Sequence, residues 1–166
     1  VTRARDTQRH KVYDAEQRLR WLLDQADTTA HRTVEVFGSR VTLPVERRMG
    51  SLDAVTVYVG QVLALGWVRA RWARARIPVG VRERRSDAAA HYEFATATIA
   101  VHTRTQTSLR EVVVLHELAH HLQPPATANH GPEFCGVFAD LTGGVLGPEA
   151  QWLLRTLLHD AGAAIG

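Results

Sequence analysis

His116-Glu117-Leu118-Ala119-His120 is the stretch of this chain whose residue types and spacing could do chemistry. In a helix, residues i and i+4 share one face with their Cβ atoms about 5–6 Å apart, so two imidazoles can converge on one ion. Glu117 follows the first histidine and can act as general base on a water bound to that ion. Two histidines leave a tetrahedral zinc short, because a catalytic site takes three protein ligands and a water. The leading candidate for the third is His130, beyond Pro124-Pro125 and just before Gly131-Pro132. A ligand at the start of a second helix can swing back to the metal. Glu133 and Asp140, further along that helix, are the alternatives, and Cys135 is a weaker one, since a small thiol in an apolar stretch is usually a packing residue.

The other histidines are separated by position. His121 points about 100° away from His120 on a helix and is read as a non-ligand. His10, His31 and His159 are read as surface residues, while His91 and His102 flank the strand region of 92–102 and could line the cleft.

Together His116-Glu-Leu-Ala-His120 and His130-Gly-Pro-Glu-Phe-Cys135 resemble the SprT-like zinc metallopeptidases, the family that includes the Spartan protease. There H-E-x-x-H is followed by a third histidine in an H-G-x-x-F or H-G-x-x-W segment. The chain is also similar to small actinobacterial metallohydrolases of unassigned substrate. The resemblance is strong over residues 108–143 and general elsewhere. It implies that His116, His120 and His130 are zinc ligands and Glu117 the catalytic acid/base. It also implies a zincin-like core: the motif helix, a second helix, and a sheet whose edge strand faces the cleft. Spartan-type proteins add a DNA-binding region or a zinc ribbon. With one cysteine this chain has no zinc ribbon, so proteolysis of DNA–protein crosslinks is not carried over.

The elements that must position these residues follow from pattern. Val12, Ala15, Leu19, Leu22, Leu23 and Ala26 recur at three- and four-residue steps, predicting an amphipathic helix over 8–26. Val34, Val36, Val41 and Leu43 alternate around Gly38-Ser39, predicting a hairpin over 33–45. Ser51 reads as the N-cap of a helix ending near Gly66. Val79 and Val81 suggest a strand, followed by a polar turn at Ser86-Asp87, and 92–102 suggests one or two more strands. Ser108-Leu-Arg-Glu111 is a capping-box pattern opening the motif helix, which Pro124-Pro125 stops. A helix from Pro132 should end at Gly143-Gly144, and a last one starts at Pro148. The expected class is α+β, with a small, mainly antiparallel sheet packed on the motif helix, in one domain spanning 1–166.

Composition bounds the rest. The 166 residues suit a single core-forming domain. One cysteine excludes an internal disulfide and a thiolate zinc cage. No apolar run approaches the ~20 residues of a membrane span, and the charged first thirty residues lack a signal-peptide stretch. The expected location is cytoplasmic. Nineteen of twenty basic residues are Arg and the net charge is only +3, which fits codon bias better than wholesale nucleic-acid binding.

The function expected is a zinc-dependent hydrolase acting on peptide or protein, with Tyr92, His102 and Arg104 as candidate oxyanion donors. The alternative is a metal-stabilised, non-catalytic binding module for nucleic acid. It rests on residues 67–85, where seven arginines face one glutamate, a local charge of +6, with Trp67 and Trp72 among them. A solvated basic face is the favoured reading of that segment. Oligomeric state is not legible.

Overall fold

A computed structural model of the chain describes residues 4–85, 89–104 and 109–166. The class is α+β, with six helices and two small sheets. The chain divides into two compact units: Val1–Glu46 with Pro124–Gly166, and the continuous stretch Arg47–Gln123. Among the described residues no helix is long and apolar enough to cross a membrane.

The first unit holds α1 (Arg9–Asp27), β1 (Thr33–Val36), β2 (Ser39–Thr42), α5 (Pro132–Val145) and α6 (Pro148–Asp160). The apolar stripe predicted for α1 is the buried one: Val12, Ala15, Leu19, Leu22, Leu23 and Ala26. It packs on α6, and α6 on α5, through Leu153, Leu154, Leu157 and Leu158. Arg18 of α1 bonds Asp160 of α6 at 2.6 Å. β1 and β2 form the expected antiparallel hairpin, with Val36 opposite Ser39. Its turn is Phe37-Gly38, one residue earlier than the Gly38-Ser39 read from pattern. Both central residues have positive φ, 50° and 76°, as a type I′ turn requires.

α5 runs past the predicted stop at Gly143-Gly144 to Val145. A Cβ on Gly143 would meet the Gln151 side chain at 2.5 Å, so this glycine permits close approach of α5 and α6. The residue that turns the chain is Gly147, at φ 125°; Pro148 then occupies the first turn of α6.

The second unit holds α2 (Leu52–Ala64), α3 (Gly66–Arg71), a short 3₁₀ turn (Ala73–Arg76), β3 (Gly80–Glu83), β4 (His91–Glu93), β5 (Thr98–Val101) and α4 (Glu111–Leu122). Ser51 caps α2 as expected, accepting from the Ala54 N–H at 3.1 Å. Gly66 opens α3 rather than simply ending α2. The strand order is β3-β5-β4. β4 pairs with β5 antiparallel and β3 pairs with β5 parallel, so this sheet is mixed.

α4 starts at Glu111 behind Arg110, which makes no side-chain cap. Ser108 of the predicted capping box, like the Ser86-Asp87 turn, lies outside the described residues. Glu111 does not serve its own helix. It accepts from the Arg47 N–H at 2.9 Å and from the Tyr58 hydroxyl at 2.8 Å, tying the start of α4 to α2 and the segment before it. At the other end Gln123 is extended ahead of Pro124, as the proline demands.

Candidate metal centre

All twelve residues of α4 are buried, as its apolar run Val112-Val113-Val114-Leu115 foretells. A helix hydrophobic all round belongs in an interior, so any polar group on it must have a use or a partner. His116 and His120 lie one turn apart with ring centroids 5.0 Å apart at 71°. A ligand nitrogen of one is within 4.8 Å of a ligand nitrogen of the other, so the i, i+4 spacing does bring the two imidazoles together. Glu117 is buried beside them in sequence at 3% exposure.

The surroundings of His120 belong to the same unit. Gln123 sits against its Nδ1, the amide nitrogen 3.1 Å away. For Nε2 to keep its lone pair for an ion, Nδ1 must carry the proton and the Gln123 amide must turn over to present its oxygen. Phe94, half-buried in the turn after β4, stands edge-on to the His120 ring with centroids 5.9 Å apart.

His121 is a structural residue, as expected. Its Nε2 is 2.8 Å from the Arg74 carbonyl oxygen. A carbonyl only accepts, so Nε2 carries the proton and Nδ1 accepts from the Tyr92 hydroxyl at 2.8 Å. The Arg74 guanidinium returns a bond to the His121 carbonyl at 2.6 Å. Burial pushes the His121 pKa below the ordinary histidine value, in keeping with a neutral ring. This network commits the Tyr92 proton, which removes Tyr92 from the candidate oxyanion donors. His102 is buried and Arg104 exposed. His10, His31 and His159 are exposed, and His91 is half-buried with its Nε2 3.3 Å from Glu93.

His130 belongs to the first unit, at the foot of α5, and is 4% exposed. Its Nδ1 is 2.6 Å from Asp6. Its ring meets Tyr13 and Phe134, with centroids 5.3 Å and 5.1 Å away. Gln8 donates to its backbone oxygen at 3.1 Å. Neither Asp6 nor Gln8 was legible as a site residue, because each is more than a hundred positions from His130.

The alternatives to His130 are occupied elsewhere or exposed. Asp140 accepts from Gln151 at 3.0 Å and pairs with Arg155 at 3.6 Å, both on α6. Glu133 is exposed. Cys135 is fully buried, with Sγ 3.8 Å from the His130 carbonyl. Burial, with Asp6 nearby, pushes its thiol up to about 12, the behaviour of a packing residue.

Most arginines of the 67–85 segment have partners within their own unit. Arg69 donates to the Leu63 carbonyl at 3.2 Å, Arg74 is held by His121, Arg82 pairs with Glu93, and Arg84 donates to the Ala89 carbonyl. Arg71 lies over Trp72, whose ring meets Trp67 edge-on.

Comparison with protein families, with curated proteins and with solved structures finds no match to this chain.

Proposed function

We propose that the chain is a zinc-dependent hydrolase acting on peptide or protein, with His116, His120 and His130 as ligands and Glu117 as acid and base. The observation that carries this reading is the pair on α4: His116 and His120 are both buried, and each offers a nitrogen within 4.8 Å of the other's. The donor set suits the ion. Three imidazoles are the protein ligands of a catalytic zinc site, whereas a structural site is closed by four; among the described residues the histidine group has three members. Cys135, five residues after His130, keeps its proton, its thiol pushed up to about 12.

Zinc held there supplies an acidified water and an electrophile for the scissile carbonyl. Glu117 takes the proton of the attacking water at a carboxylate oxygen and returns it to the leaving amine. The architectural half of the proposal is a zincin-like core, supported by α4 lying against β4 of a small sheet. The nucleic-acid reading draws on arginines that mostly have intramolecular partners, and nothing else favours it.

Two measurements on the full chain test the proposal together. Elemental analysis should find stoichiometric zinc in wild type and a loss in His116→Ala and His130→Ala. Glu117→Gln should keep the metal and lower peptide hydrolysis by about 10²–10⁴-fold. A wild-type chain that takes up no metal would end the metal reading, and an undiminished rate in Glu117→Gln would remove its assigned base.

A further inference from the structure

Residues 4–8 precede α1 and run against the loop that carries His130. The Ala4 N–H donates to the Ala126 carbonyl at 3.1 Å. Two residues on, Asp6 reaches His130 Nδ1 with Oδ2 at 2.6 Å, while its Oδ1 accepts from the Gln8 N–H at 3.2 Å. The carboxylate is thus fixed at both oxygens. Gln8 spends its side-chain amide on backbone: Nε2 donates to the His130 carbonyl at 3.1 Å and to the Ala164 carbonyl at 3.2 Å, and Oε1 accepts from the Ala164 N–H at 2.6 Å. Tyr13 and Phe134 each pack a ring against the imidazole.

Building on the metal reading above, we infer that this N-terminal strap is the positioning device for His130, with Asp6 as its positioning residue. An ionised carboxylate only accepts, so it holds the proton on Nδ1 and turns the lone pair of Nε2 to the opposite side of the ring. Without that partner either nitrogen can carry the proton, and the ring can turn over and present the wrong atom. Gln8 acts on a different coordinate. By holding the backbone carbonyl of His130 it sets where the ring begins, while Asp6 sets which way it faces.

The test measures zinc affinity by chelator competition on the full chain, with circular dichroism to establish folding. Asp6→Asn should weaken binding by about 10–100-fold, and Asp6→Glu, which keeps the charge, should weaken it less. Unchanged affinity in Asp6→Asn would overturn the inference. An equal loss in both variants would also overturn it, because shape rather than the carboxylate would then be at work. Should Asp6→Asn not fold, the wild type decides by nitrogen-15 imidazole spectra of the metal-free protein at mildly alkaline pH. An Nδ1–H tautomer at His130 supports the strap; an Nε2–H tautomer refutes it. That readout needs no metal, so it separates failure of the strap from failure of zinc binding by the wild type.

Discussion

His116 and His120 are placed by one helix, whereas His130 is placed by hydrogen bonds from residues far away in the chain. On α4 the 3.6-residue repeat itself sets the two rings 5.0 Å apart, and burial of the whole helix keeps it in place. In the first unit the His130 ring is held by a carboxylate 124 residues earlier, and its carbonyl by Gln8. A helix positions side chains through covalent geometry that survives most substitutions. A loop positions them through particular partners, each of which can be removed singly.

That contrast can be broken or sharpened by experiment. The largest stability effect is expected from Leu115→Ala. Leu115 is fully buried in α4, and such truncations cost about 2–5 kcal/mol. Denaturant unfolding should show that loss. The Nδ1–H tautomer of His130 should survive it, and loss of the tautomer would mean that the two placements are not independent.

A smaller effect, about 1–3 kcal/mol, is expected from His121→Phe, which removes the ring nitrogens that bond the Tyr92 hydroxyl and the Arg74 carbonyl. Metal content should be unchanged, since His121 lies outside the proposed ligand set. Loss of metal in a folded variant would make the neighbouring network part of the site.

The smallest effect concerns Cys135, which should resist alkylation in the folded protein near neutral pH and react after unfolding. Its thiol is raised from its usual 9.0 to about 12. The stability this contributes is therefore complete below pH 9.0 and lost as the pH rises toward 12. Rapid labelling of native protein would contradict the burial that makes this residue a packing group rather than a ligand.

The same contrast explains what could be read in advance. The helices α1, α2, α4 and α6 announce themselves, because period and punctuation are local. The Val-rich hairpin does too, but its turn was placed one residue late, since Phe37 is not a residue that advertises positive φ. Gly143 reads as a stop and is a contact, a distinction that depends on Gln151 of the next helix. The Arg-rich segment carries no period because its shape comes from tertiary partners such as His121 and Glu93. The two α4 histidines and Glu117 follow from spacing. Asp6 and Gln8 leave no trace in any short window.

The discontinuity of the first unit has a consequence for the order of assembly. Arg47–Gln123 is continuous, so its contacts form without waiting for the rest of the chain. α1 must instead wait for α6, its main helical neighbour in that unit, across the whole insertion, and the entropy of closing so long a loop delays such pairings. During synthesis α4 is finished while α6 is still unmade. Under the proposed ligand set, a nascent chain holds the two imidazoles of α4 before α6 is made to close the unit that carries His130.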